Sequence, residues 1–369
     1  MRIFFPNASI RYPPTTGGHI HVYQLTRQLR QLGHEIISVQ PDQNPITCTR
    51  PRKPRHVLDA LRTADVIYCR LEESPNNATR LTSPGWNLLI PDHTVVVWEL
   101  NVSLTGAATV RGRSDSLRRR HLSGLQRSAR RVDGAICVTK GLGRQATELL
   151  SIERVAVIQN GSDPDLFRRE PEPDDRSATA TNKLQVVSIG SNPNSYHDIE
   201  LLEALCALID ARRLPIDVHL YGKSAELCGS ALPCSLHVHG PVSYLEMPRH
   251  LSRMDVGLAL YNIPLDLGSP LKLFDYLASG CVPVCSGGQA VEQVLAGNNV
   301  GLVASSWTPE SLSKALLALH EDRSQLERMR VAGRLLVERE YNWTCIARKT
   351  EVFLTQLMLA RPSRKAAAS

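Results

Sequence analysis

Short β-branched runs alternate with longer amphipathic stretches along this chain, and the alternation occurs twice with a polar break between the two series. The first series opens with Arg2 to Phe5, Gly18 to Leu32 and Glu35 to Val39, which read as strand, helix and strand. Further strands are predicted at Val66 to Cys69, Thr94 to Trp98, Gly134 to Val138 and Val155 to Ile158, with helices at Arg113 to Arg131 and Gly141 to Leu150. Apolar strands joined through helices call for a parallel sheet covered on both faces. Residues Arg168 to Lys183 are polar, rich in Pro and Asp and without an apolar period, as an exposed connection is. A second series follows, with strands at Leu184 to Ile189, Ile216 to Tyr221, Leu236 to Val238, Val256 to Leu260, Val282 to Cys285 and Val300 to Val303. Helical patterns such as Ile199 to Ala211 and Leu271 to Ala278 separate them. The expected organisation is an α/β chain with a first domain over 1–167, a linker over 168–183 and a second domain over 184–340. A C-terminal helix and basic tail over 341–369 have the option of packing back on the first domain. Ligands of doubly wound sheets bind outside the carboxyl ends of the strands, so function is sought in the loops that follow strands.

Composition narrows the class. A chain of 369 residues with 42% hydrophobic and 21% charged residues has material for two ordinary cores and does not resemble a disordered, collagenous or coiled-coil sequence. The apolar run at the N-terminus is too short for a signal peptide, and no later run is long enough to span a bilayer. A cytoplasmic location is expected, with peripheral contact at the inner face of a membrane as an option. Nine cysteines without paired C-x-x-C spacing read as reduced core residues, and the surroundings of Cys281 and Cys285 supply no further metal ligands. The net charge of +7 is concentrated towards the N-terminal half. The stretch Arg111 to Arg131 suits a solvated helix face or a contact with anionic lipid or a phosphorylated acceptor, whereas a nucleic-acid groove would want stacking aromatics.

The segment from Ser269 to Val284, SPLKLFDYLASGCVPV, carries the most chemistry. Ser269 is a candidate helix cap, Pro270 suits a first turn, and the free N–H groups of that turn suit a diphosphate. Lys272 adds a full positive charge beside them, and a carboxylate at Asp275 is able to hold a ribose diol. The whole string resembles the donor-binding helix and following strand of family 4 glycosyltransferases of the GT-B fold, which is built from two Rossmann-like doubly wound domains facing across a cleft. That resemblance implies that Ser269, Pro270, Leu271, Lys272 and Asp275 bind the donor. The family usually has Glu where this chain has Asp275, and an earlier acidic residue where it has Leu267.

Other segments are similar to the same family. Val155 to Phe167, with Asn160, Gly161 and Asp163, is similar to a strand-loop pattern read most simply as a hinge. The loop from Tyr12 to His19 resembles the N-terminal Gly-Gly loop, which makes Gly17, Gly18 and His19 candidates for approach to a phosphate or reacting sugar. Strand Val95 to Trp98 runs into Glu99 and Asn101, where many relatives carry His. An amide hydrogen-bonds a sugar hydroxyl but cannot titrate, so Asn101 is expected to act without acid/base work. Gly190 and Ser191 open a loop ending at His197, where relatives place permanent cations. His197 is expected to neutralise the departing diphosphate when protonated.

These readings predict transfer of a hexose-like group from a nucleotide diphosphate sugar to a hydroxyl acceptor, with retention implied by the resemblance. Lys272, His197 and Asn101 are the expected catalytic residues. No cofactor beyond the donor and no metal is expected, because no paired carboxylates stand out to hold a cation on the diphosphate. Two alternatives stay open: a GT-B protein that binds nucleotide sugar or glycan without turnover, and a nucleotide-sugar epimerase.

Overall fold

The computed structural model describes residues 1–6, 10, 12–38, 54–71, 89–104, 115–169, 182–190, 199–229, 231–260, 268–285 and 287–360. The chain divides into two compact units, one of Met1–Gln159, Asp266–Ser269 and Trp343–Ser369, the other of Asn160–Leu265 and Pro270–Asn342.

The first unit holds a parallel sheet of β1 (Arg2–Phe5), β2 (Glu35–Ser38), β3 (Val66–Leu71), β4 (Val95–Leu100), β5 (Gly134–Cys137) and β6 (Val155–Val157), in the order β2-β1-β3-β4-β5-β6. Every residue of β3, β4 and β5 is buried, and apart from Arg70 and Glu99 these strands read as apolar runs. Helices α1 (Gly17–Gln31), α2 (Pro54–Thr63), α3 (Asp115–Ala129) and α4 (Lys140–Leu150) accompany it. Threonine hydroxyls cap two of them, Thr16 accepting from the His19 N–H and Thr139 from the Leu142 N–H.

The second unit repeats the plan with β7 (Leu184–Ile189), β8 (Ile216–Tyr221), β9 (Leu236–Gly240), β10 (Val256–Ala259), β11 (Val282–Cys285) and β12 (Leu302–Val303), ordered β12-β11-β10-β7-β8-β9. Its helices are α5 (Ile199–Ala211), α6 (Met247–Leu251), α7 (Leu271–Ser279), α8 (Gln289–Leu295), α9 (Pro309–Glu321) and α10 (Arg323–Leu336). Leu202, Leu205 and Ile209 of α5 join Leu312, Leu316 and Leu319 of α9 in one core with the strands.

Helix α11 (Trp343–Leu359) returns to the first unit. Trp343, Ile346, Leu354 and Leu357 bury its apolar side, and His34 Nε2 meets the Glu351 carboxylate at 2.9 Å at the polar edge. Gly134 makes room for this packing, since a Cβ there would lie 2.9 Å from the Leu357 side chain.

The segment from Asn160 to Phe167, expected at the end of the first domain, groups with the second unit. Arg334 of α10 draws it there by donating to the carbonyls of Pro164 and Phe167 while also reaching Ala278 at the end of α7. The Asp163 carboxylate accepts the N–H groups of Asp165 and Leu166 at 3.1 and 3.2 Å, a turn that needs no ligand. Of the expected linker, 170–181 lies outside the described residues.

Candidate functional site

In both sheets the strand order reverses, at β1/β3 in the first unit and at β7/β10 in the second, and the crevice beyond the carboxyl ends at such a reversal is where doubly wound folds take ligands. The residues singled out from the sequence collect at these two places.

In the second unit, Tyr276 fixes α7 over the reversal. Its hydroxyl donates to the Leu258 carbonyl of β10 at 3.2 Å and accepts the Ile189 N–H of β7 at 3.1 Å. Gly257 is required beneath the ring, because a Cβ there would come within 2.3 Å of it. The first turn of α7 is thereby held near the ends of β7 and β10. Lys272 in that turn donates its ammonium to the Ile189 carbonyl. Gly190 follows, and its carbonyl would meet a Cβ on Gly222 at 2.2 Å, so Gly222, with φ of +103°, keeps the ends of β7 and β8 in close approach.

The helix begins one residue later than expected. Pro270 occupies the cap position with no side-chain hydrogen bond and Leu271 is the first helical residue, so Ser269 is not the cap. Ser191, His197 and Leu267 lie outside the described residues.

Burial tunes the two ionisable groups of α7 in opposite senses. It lowers the Lys272 ammonium from 10.5 to about 7, against a smaller opposing effect of Cys285. It raises the Asp275 carboxyl to about 7, with Asp163 adding to the rise and Ser162 opposing it. Asp275 is 7% exposed and accepts a 2.6 Å hydrogen bond from the Ser162 hydroxyl. Ser162 in turn donates its N–H to the Tyr341 carbonyl at 2.9 Å. The expected ribose ligand is thus already engaged by a residue that no sequence motif marked for this task.

In the first unit, Gly17, Gly18 and His19 open α1, and the His19 ring pairs with the Thr15 hydroxyl at 3.0 Å. Glu99, near the end of β4, points inward and is 1% exposed. It accepts from the side-chain amide of Asn101, His21 Nε2 stands 2.8 Å from the same oxygen, and Arg70 of β3 stands 4.0 Å away. Burial alone would raise its pKa, but His21, Arg70 and Asn101 together hold it at about 2. Arg70 also donates to the Gly18 carbonyl at 3.3 Å, which ties the Gly-Gly turn to the same carboxylate. Glu99 and Asn101 were legible from the strand-end pattern; His21 and Arg70 were not. A charged residue inside the buried run VIYCRL was the available signal for Arg70.

Of the basic stretch, 111–114 lies outside the described residues, and α3 exposes Arg119, Arg120 and Arg127 while Leu125 and Ala129 are buried. A solvated face and a contact with an anionic surface both require this arrangement. Among the described residues no helix is long and apolar enough to cross a membrane. Cys69, Cys137, Cys206, Cys281 and Cys285 are free and buried, as core thiols are.

Residues 200–351 match a family model described as glycosyl transferase-like. Sucrose-phosphate synthase from Thermosynechococcus elongatus is similar in structure, with a TM-score of 0.68 and 14% identity over 97% of this chain and 99% of that one. A structure of Anabaena HepE in complex with UDP-glucose gives a TM-score of 0.69 and 13% identity over 96% and 100% of the two chains. WaaG, a glycosyltransferase involved in lipopolysaccharide biosynthesis, gives 0.68 and 12% over 95% and 99%. No curated protein sequence matches the chain. The architecture, two Rossmann-like parallel-sheet units, is the GT-B fold that these structures share.

Proposed function

We propose that this protein is a family 4-like, retaining glycosyltransferase that moves a hexose-like group from a nucleotide diphosphate sugar to a hydroxyl of a glycan, glycolipid or small molecule. In the reaction the bond between the anomeric carbon and the diphosphate oxygen breaks, the acceptor oxygen takes its place, and the acceptor proton leaves. The greatest demand is stabilisation of the departing diphosphate.

One observation carries the reading: the first turn of α7 lies beside the carboxyl end of β7, at the strand-order reversal, with Lys272 in that turn. The second unit accordingly takes the donor through Pro270, Leu271, Lys272 and Gly190, with Asp275 the candidate for the ribose. The first unit takes the acceptor or the reacting sugar near Gly17, Gly18, His19, Glu99 and Asn101. UDP is the first nucleotide to test, because a structural neighbour is described in complex with UDP-glucose.

Titration of UDP, GDP and ADP against the parent and Lys272→Ala tests the donor site. The best nucleotide should bind the variant at least tenfold more weakly, the loss of one charge-assisted contact of about 1.5 kcal/mol or more. Equal affinities would remove this turn from the donor site. Transfer from the cognate nucleotide sugar, followed by the anomeric configuration of the product, tests turnover and retention.

A further inference from the structure

The polar cluster beneath the end of β4 is a larger construction than a single binding residue needs. Glu99 is 1% exposed, yet one of its oxygens is approached by three donors: His21 Nε2 at 2.8 Å, the Asn101 amide, and Arg70 Nη1 at 4.0 Å. Burying a carboxylate is costly unless it is paired, and here the pairs come from three elements, α1, β3 and the residue just after β4. Resting on the reading that the first unit meets the acceptor or the sugar, we propose that His21 and Arg70 are positioning residues, acting through the Glu99 carboxylate to fix which edge of Asn101 is offered to a sugar hydroxyl.

The chemistry follows from the donor and acceptor inventory. An ionised carboxylate only accepts hydrogen bonds, so the Asn101 atom facing it must be the nitrogen, and the amide oxygen must turn away. That oxygen is the edge left to accept from a hydroxyl, and Asn101 itself is only partly buried. A protonated Glu99 would be able to donate to the amide oxygen, and the preference would be lost. The orientation of Asn101 therefore lasts only while Glu99 is ionised. The groups facing Glu99 are His21 from α1, Arg70 and Tyr68 from β3, Asn101, and Cys137 from β5. Tyr68 and Cys137 are held in their neutral forms, the phenol raised well above its usual range by burial and by Glu99, and the thiol pushed to about 12. His21 and Arg70 supply the electrostatic part of what keeps Glu99 ionised, beside the hydrogen bonds from Asn101 and the Tyr68 hydroxyl. Arg70 joins this to the Gly-Gly turn through the Gly18 carbonyl at 3.3 Å, so one guanidinium places both the turn and the carboxylate. His21 is further fixed by the edge-on ring of Trp343, with centroids 5.3 Å apart, in the helix that returns to this unit.

The test reads the carboxyl directly. With carboxyl-labelled glutamate and Glu99→Gln to assign the resonance, the parent Glu99 should not titrate between pH 4 and 7. His21→Ala should bring a titration into that window and shift the Asn101 side-chain amide as Glu99 protonates, while His21→Gln, which keeps a donor at similar reach, should restore the parent behaviour. If His21→Ala fails to fold, Arg70→Lys carries the same measurement, because a single ammonium cannot serve both Glu99 and Gly18. In transfer assays His21→Ala should raise the acceptor KM on the order of tenfold and add an acid limb that the parent lacks, with nucleotide affinity unchanged. A Glu99 that stays ionised through this window in both His21→Ala and Arg70→Lys, or an Asn101 amide that ignores its protonation, would overturn the assignment. Failure of the parent to transfer any sugar would count against the proposed reaction, while the resonance titration would still decide the positioning roles.

Discussion

Lys272 and Asp275 lie three residues apart on α7, and burial moves both to about 7 from opposite directions. The folded state thus meets neutral pH with neither group in a comfortable charge state. The Asp275 carboxyl is raised, so its contribution to stability is full below pH 4 and is lost as pH rises towards 7. The Lys272 ammonium is lowered, so the folded state binds fewer protons than the unfolded chain between pH 7 and 10.5, and stability rises across that range. We expect Asp275→Asn to be more stable than the parent at pH 7, to lose the stability slope between pH 4 and 7, and to bind the cognate nucleotide more weakly. Denaturant midpoints at several pH values and a nucleotide titration check this, and undiminished binding would remove Asp275 from the ribose contact. A diphosphate bound at Lys272 favours the ammonium, so binding takes up a proton, and above pH 7 affinity should fall by up to tenfold per pH unit until the pKa of the complex is reached. Calorimetry in buffers of different ionisation enthalpy measures the uptake, and Lys272→Arg should abolish it, since a guanidinium stays charged.

At the scale of elements, α7 is held at its middle and its C-terminus by its neighbours. Tyr276 bonds its middle to β7 and β10 over Gly257, while Arg334 and Arg330 reach the Ala278 and Gly280 carbonyls at its C-terminus, at 2.7 and 2.9 Å. Arg334 is also the link between α10, α7 and the Asn160 to Phe167 segment, since one guanidinium serves three carbonyls. Replacing Arg334 with Ala strands these acceptors and should cost the second unit about 2–4 kcal/mol. Arg334→Lys should recover little of it, because an ammonium lacks the planar fork. Urea unfolding of the three proteins gives the comparison, and a loss below 1 kcal/mol would mean that solvent replaces the bonds.

For the whole molecule, the return of α11 makes residues 343–359 part of the first unit's core. Leu357 is 1% exposed and rests over Gly134, so Leu357→Ala should destabilise the first unit by about 2–5 kcal/mol, and Gly134→Ala should do so by overpacking the same contact. Thermal unfolding followed with a probe in each unit should show the first unit's transition move and the second's stay; a common shift would mean that the units unfold as one. The alternation of apolar and amphipathic runs was enough to specify two doubly wound sheets, because strand and helix periods are local and β3, β4, β5, β10 and β11 are buried along their length. The same local chemistry marked the SPLK turn and the Glu99-to-Asn101 strand end, since proline, glycine and charge at an element's start or end are visible in the chain. Tertiary structure alone decided the rest. That Asp275 turns to Ser162, 113 positions away, that His21 and Arg70 meet at Glu99, and that α7 starts at Leu271 rather than behind a Ser269 cap depend on which elements lie side by side. No period or spacing in the sequence records those adjacencies, because they are set by strand order and by the packing that offsets the burial of each charge.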